Sequence, residues 1–229
     1  MPRRGRCWGG DSSEAAVGAI KDQMERIYRD VPPADIPWNN ETAPEILVSA
    51  VAGRVPRPRR VIELGCGAGN NVMGLARLGF DVTGVDIAEA AVEMGRRAAA
   101  KAGLACRFVA ADVVAELPFP EGAFDFAYDW ELLHHIFPED RPSYVRNVAG
   151  LLAPGGTYLS VCFSEQDPQF GGRGKYRKTG LGTELYFSSE AEIRALLAEH
   201  FAIEELKTIE VRGKRGSHRA VWAMGKKPI

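Results

Sequence analysis

Val61-Ile62-Glu63-Leu64-Gly65-Cys66-Gly67-Ala68-Gly69-Asn70-Asn71 reads as a short buried strand, a glycine-rich turn and the opening of a helix. Val61, Ile62 and Leu64 are strand formers in an apolar run. Glycines then follow at every second position. A glycine turn is tight and lets a ligand approach the backbone, because no Cβ stands in the way. The helix that follows offers free N–H groups and the positive end of its dipole. The dinucleotide pattern G-x-G-x-x-G requires its third glycine at the sixth position, which here is Asn70; the third glycine falls one residue early, at Gly69. The ligand expected at this turn is therefore nucleotide-like but not a dinucleotide.

The chain has 229 residues, enough for one α/β domain with additions and a sizeable core. Its 29 Lys and Arg balance 30 Asp and Glu, for a formal charge of −1. No global field argues for nucleic acid or a membrane surface. The four cysteines (Cys7, Cys66, Cys106, Cys162) show neither CxxC nor zinc-ligand spacing. That pattern points to a reduced, cytoplasmic protein without a metal site. No apolar run is long enough to span a bilayer. Residues 1–11 read as a flexible tail.

Residues 12–58 carry two predicted helices. The first has Val17, Ile20, Met24 and Ile27 on one face, with Ser12 or Ser13 as a cap, and stops at Pro32-Pro33. The second opens at Pro44-Glu45. Together they form an N-terminal extension expected to lie over the ligand, with Trp38 in the polar segment between them. From residue 59 strands and helices alternate. Strand two ends at Asp86, 21 residues after Gly65, where an acid can accept both hydroxyls of a ribose or cap the helix 88–102. Strand three covers 105–113. Strand four, 124–128, opens onto Asp129-Trp130-Glu131-Leu132-Leu133-His134-His135, at the carboxyl edge where open α/β sheets hold ligands. A helix is read as starting at Pro138, and strand five covers 157–163. Residues 164–187 make a long polar segment with Arg173, Lys175, Arg177 and Lys178. Ser189-x-x-Glu192 is a capping box. Two strands, 201–209 and 219–224, close the chain as a hairpin around the basic loop 212–216.

The glycine spacing with Glu63 before it resembles the first motif of class I S-adenosylmethionine (SAM)-dependent methyltransferases. Element order from about 59 to 226 is similar too. The resemblance implies an α/β fold: a doubly wound, seven-stranded, mostly parallel Rossmann-like sheet with a C-terminal antiparallel hairpin and an N-terminal helical extension. Residues 59–229 would form the SAM-binding domain, 12–58 a cap, and 164–187 a substrate-side loop. Ile36-Pro37-Trp38, Pro44, Tyr128-Asp129 and Ile136-x-Pro138-Glu139-x-Arg141 resemble, more narrowly, the thiopurine, halide/thiol and tellurite-resistance methyltransferases, whose acceptors are soft nucleophiles.

The resemblance implies a cofactor set of Trp38, Glu63, Gly65, Cys66, Gly67, Asn70, Asn71, Asp86, Ile87, Asp112, Val113 and Asp129. Asp112 would take the adenine amine, and Asp129 would lie near the sulfonium. Trp130, His134, Arg173, Lys175 and Tyr176 are the expected acceptor contacts. Asp129, His134 and His135 are the candidate catalytic groups, with Glu131 competing for the same role. Adjacent histidines on a helix cannot share a face, so one is expected inward and structural. The expected reaction is in-line methyl transfer to a small molecule, giving S-adenosylhomocysteine. A thiol is the leading acceptor, since it needs only its thiolate form. The alternatives are a nitrogen or oxygen acceptor served by a histidine base, and a SAM-binding scaffold without turnover. Nucleic acid, membrane and metal are not expected; a monomer or weak homodimer is.

Overall fold

The computed structural model describes residues 12–54, 59–214 and 216–229, and the side chains from residue 18 onward within the first helix. The tail 1–11 with Cys7, and the Ser12 or Ser13 cap, lie outside the described residues. Two helices come first: α1 (Ser12–Asp30) and α2 (Glu45–Arg54). Then follow β1 (Arg60–Leu64), α3 (Asn70–Arg77), β2 (Asp81–Asp86), α4 (Glu89–Ala102), β3 (Arg107–Ala110) and β4 (Phe124–Trp130). A short 3₁₀ turn, Leu133–His135, precedes α5 (Arg141–Leu151) and β5 (Leu152–Phe163). The long polar segment holds two three-residue strands, β6 (Tyr176–Lys178) and β7 (Glu184–Tyr186). The chain closes with α6 (Glu190–Leu197), β8 (Ala202–Gly213) and β9 (Gly216–Lys226).

The main sheet runs β3-β2-β1-β4-β5-β9-β8. β1 pairs in parallel with both β2 and β4, so the strand order reverses beside it. Only β9 breaks the direction, lying antiparallel between β5 and β8. Side chains alternate across the sheet. Val61, Val82, Phe126, Tyr128 and Trp222 bury against α2, α3 and α4. Ile62, Leu64, Val85, Ala127 and Val221 bury against α5 and α6. A third cluster joins Met24, Ile27 and Tyr28 of α1 to Ile36 and to Ala88 and Ala91 at the start of α4. The expected fold class is thus the observed one.

Several boundaries differ from those read in the sequence. Strand three spans Arg107–Ala110 instead of 105–113. α5 starts at Arg141, so its first-turn proline is Pro142 and not Pro138. Residues 164–187 are not a bare loop, since β6 and β7 pair within them. The hairpin strands reach almost to their turn, pairing as far as Gly213 with Gly216.

Candidate active site

The carboxyl ends of β1, β2 and β4 converge on the reversal in strand order. The glycine turn is shaped there by its neighbours. Gly65 has φ 72°, and a Cβ on it would stand 2.7 Å from the Leu132 side chain. Gly67 has φ 53°, and a Cβ there would meet the Tyr28 hydroxyl of α1 at 2.5 Å. Asp86 ties the ends of β1 and β2 together. Its Oδ2 accepts the Gly67 N–H at 2.8 Å and its Oδ1 accepts the Ala88 N–H at 3.0 Å. The helix-cap and ligand roles are compatible, because each oxygen keeps a free lone pair.

α1 docks through a second carboxylate. Glu25 accepts the Glu89 and Ala90 N–H groups at 2.7 and 3.2 Å, supplying the cap that Ala88 cannot give α4. Trp38 donates to the Tyr28 hydroxyl at 2.8 Å. Asn39 accepts from Asn70 at 2.8 Å and from Lys214 of the hairpin turn at 3.4 Å. The N-terminal extension therefore reaches across to both sides of the cleft.

Beneath it lies a cavity of about 930 Å³. That is near the top of the range for small-molecule sites, about 300–1,000 Å³, and leaves room for two ligands. One end is bordered by Glu63, Gly65, Cys66, Gly67, Asn70, Asn71, Asp86, Ile87, Asp112, Val113 and Trp38. All eleven are expected cofactor contacts, and the structure brings them together. Glu63 is buried, accepts from Asn71 at 2.8 Å and has its pKa pushed up to about 8 by desolvation.

The other end is aromatic. Trp130, Glu131, His134, His135, Phe137, Phe163, Phe170 and His218 border it. Ring centroids run from Trp38 to His135 (6.3 Å), to His134 (4.7 Å), to Phe163 (4.6 Å) and to His218 (4.7 Å). Both neighbouring histidines, each a candidate catalytic group, thus border the cavity. They sit on a single 3₁₀ turn and not on an α-helical face. Burial lowers both pKa values, that of His135 to about 4. Arg141 fixes the turn by donating to the Leu133 and Ile136 carbonyls at 2.9 and 2.8 Å.

Asp129 does not border the cavity. It is fully buried below the turn, accepting from Tyr144, Tyr158, Ser160 and the Leu133 N–H, with its pKa raised by burial to about 6. Arg173, Lys175 and Tyr176 do not reach the cavity either. Lys175 pairs with Glu165 and Glu192 at 2.7 and 2.5 Å, and Arg173 is exposed. The organising cation of that segment is Arg177. Its guanidinium donates to the carbonyls of Glu165, Asp167, Gln169 and Gly174 and lies 3.9 Å from the Phe187 ring centre. Phe187 in turn stacks on Phe163. Sequence reasoning missed Tyr28, Phe163, Phe170 and His218. His218 carries a faint signal: it alternates with Ala220 and Trp222 on the buried face of β9.

Residues 61–156 match a family model described as a methyltransferase domain. The chain is 26% identical over 195 residues to the 2-heptyl-1-hydroxyquinolin-4(1H)-one methyltransferase of Mycobacteroides abscessus, covering 82% of this chain and 79% of that one. It is 36% identical over 129 residues to the 27-O-demethylrifamycin SV methyltransferase of Amycolatopsis mediterranei, spanning 52% of this chain and 46% of that relative. Among solved structures, the Burkholderia thailandensis 1,6-didemethyltoxoflavin-N1-methyltransferase with bound 1,6-didemethyltoxoflavin and S-adenosylhomocysteine superposes with a TM-score of 0.70. It is 25% identical and covers 100% of this chain and 94% of that one. The fold is that of the class I, Rossmann-like methyltransferases. The chain is a SAM-dependent methyltransferase, and S-adenosyl-L-methionine is its cofactor. No three acidic, His or Cys side chains cluster as a metal site among the described residues, and no described helix is long and apolar enough to cross a membrane.

Proposed function

We propose that this enzyme methylates a hydroxyl or ring nitrogen of a planar aromatic metabolite. The observation that carries this reading is the continuity of one cavity, from the glycine turn and Asp86 to a chamber walled by Phe163, Phe170 and imidazole rings. Aromatic walls favour a flat acceptor through offset and edge contacts. The relatives whose names specify quinolone, rifamycin and toxoflavin acceptors support a ring-bearing substrate. The narrower likeness to thiol and thiopurine enzymes points instead to sulfur. A thiol, however, ionises near neutrality and needs no chamber rich in proton acceptors, so oxygen and nitrogen come first.

At the other end, Asp86 would hold the ribose, Asp112 the adenine amine, and Glu63, Asn71 and the backbone of Gly65–Gly67 the amino-acid portion. Gly65, Gly67, Glu63 and Asn71 border the same end of the cavity, which supports this placement. Once bound, the cofactor supplies an electrophilic methyl. The protein's part is then to align the acceptor, exclude water and take up a proton. Asp129 would act from beneath the chamber by fixing the 3₁₀ turn through Leu133. Three free cysteines, Cys66, Cys106 and Cys162, support a reduced, cytoplasmic setting. The corresponding oligomeric reading, a monomer or weak dimer, is checked by light scattering.

The test is methyl transfer from labelled SAM to phenols, hydroxyquinolines, amines and thiols, with calorimetric titration of S-adenosylhomocysteine on the same sample. Label on ring hydroxyls or ring nitrogens supports the proposal. Label confined to thiols returns the assignment to sulfur. An Asp86→Ala variant that binds S-adenosylhomocysteine as tightly as the parent would remove the cofactor assignment.

A further inference from the structure

The chamber holds a carboxylate–imidazole contact between Glu131, a competing candidate from the sequence, and His218, which the sequence did not single out. Glu131 closes β4 in the left-handed region, with φ 65°, a conformation that non-glycine residues adopt at a cost. Its N–H is nonetheless held by the Val161 carbonyl of β5 at 2.8 Å. That backbone reversal lifts the carboxylate off the sheet edge and into the border of the cavity. His218 comes from the far side of the sheet, on β9. Its Nε2 lies 2.6 Å from Glu131 Oε1. The two side chains are 15% and 6% exposed. Among the described residues the other non-glycine with positive φ, Phe170 with φ 54°, borders the same chamber. Strain gathered at one end of one cavity marks a working site.

We propose that Glu131 and His218 together accept the proton that the acceptor heteroatom loses during methyl transfer. This rests on the proposed reading of the site as one for an aromatic hydroxyl or ring N–H. The acceptor's lone pair forms a bond to the methyl carbon while the carbon–sulfur bond breaks and its electrons pass to sulfur. The proton leaves the heteroatom for the carboxylate–imidazole pair and from there reaches water. Nothing is oxidised or reduced.

The rival bases lack such a partner. His134 is buried against Phe163, and the half-buried His135 lies against Trp38, with no ion pair to a carboxylate at either ring among the described residues. Protonating a buried imidazole without a partner is costly, whereas a carboxylate in contact stabilises the imidazolium as it forms. The cavity border also carries His134, across the Phe163 ring, His135, Glu139 and Asp140, and Lys214 of the β8–β9 turn, which leans toward Asn39.

The experiment uses full-length protein and three variants: Glu131→Gln, His218→Gln and His135→Gln. Glutamine keeps the size of Glu131 and of the backbone it must occupy. Turnover is followed with 4-hydroxyquinoline and 4-nitrophenol as hydroxyl probes and thiophenol as an acceptor that ionises readily. S-adenosylhomocysteine affinity is measured for each variant. In parallel, 4-nitrophenol is titrated into the S-adenosylhomocysteine complex at a pH where the free phenol is neutral, and its phenolate absorption is read. The expectation is that Glu131→Gln and His218→Gln each lose about 10²–10⁴-fold in kcat on hydroxyl probes. They should keep thiophenol turnover and cofactor-product affinity, and lose the phenolate band seen with the parent. Either variant retaining hydroxyl turnover within tenfold, or His135→Gln abolishing it alone, overturns the pair as proton acceptor. Label on thiophenol only in the parent overturns it as well. Product binding with no label on any probe overturns the acceptor class but leaves the cofactor site standing. Absent product binding in the parent fails the underlying reading instead.

Discussion

The ring of Phe108 on β3 occupies the space that a side chain on Gly69 would need, and the same ring closes off Gly95 of α4 at 2.8 Å. Gly69 also has φ 79°. A methyl there meets both backbone strain and an immovable ring. Gly103 is a natural comparison, with φ 65° and nothing within 4 Å of a Cβ. Gly103→Ala is expected to cost about 1 kcal/mol, and Gly69→Ala about 2–4 kcal/mol. Thermal melts of the two variants check this: equal shifts would mean that Phe108 yields.

Glu63 makes stability depend on pH in an unusual direction. Its folded pKa, about 8, lies above its ordinary 4.5, so the folded state holds the proton more tightly than the unfolded chain. Stability from this group falls as pH rises through that window. Asp129 acts in the same sense up to about 6, and His135 in the opposite sense between about 4 and 6.5. Between about 6.5 and 8 those two are spent, and Glu63 contributes a decline of up to ~1.4 kcal/mol per pH unit. Urea unfolding across that range should show the slope in the parent and a flatter line in Glu63→Gln.

Arg177 should matter more than any other cation in the 164–187 segment. Four carbonyls and one aromatic face converge on its planar head, an arrangement an ammonium cannot copy. Arg177→Lys is expected to cost about 2–4 kcal/mol and to open the segment to protease. Arg173→Ala should change neither. Cleavage at equal rates in both variants would contradict this.

Glu25 clamps α1 onto α4. Glu25→Ala removes acceptors from two N–H groups at a helix start, an expected loss of about 0.5–2 kcal/mol. Because α1 also brings Tyr28 to Gly67, S-adenosylhomocysteine should bind more weakly as well. Hydrogen exchange confined to residues 18–30 and 88–91 would locate the effect; a uniform rise in exchange would argue for global loosening.

The glycine-turn end of the cavity was legible in the sequence because it is local. A strand, a glycine turn and an acid one βαβ unit later are set by spacing along the chain. The chamber was legible only in part. His134 and His135 fall just after a strand that could be read, but their common border on the cavity depends on a 3₁₀ turn that no residue pattern announces. Arg173 and Lys175 misled because a cation is counted equally whether it faces a ligand or, as with Arg177 and Lys175, holds its own loop. Asp129 could not be told from Glu131 by position: one points under the sheet edge to Tyr144 and Tyr158, while the other is turned outward by a single positive φ. His218 stands 87 residues after Glu131, and only the insertion of β9 beside β5 brings the two together.

That insertion has a bearing on how the molecule comes into being. The parallel strands β1 to β5 are made first, and nascent chains fold from the N-terminal side as synthesis proceeds. The glycine turn, Asp86 and the aromatic turn can then be in place on the ribosome before β9 exists. A chain at that stage carries the glycine turn, Asp86 and Glu131 but not His218. The last strand to emerge slides between two others, so the contact between Glu131 and His218 forms only once the end of the chain is made.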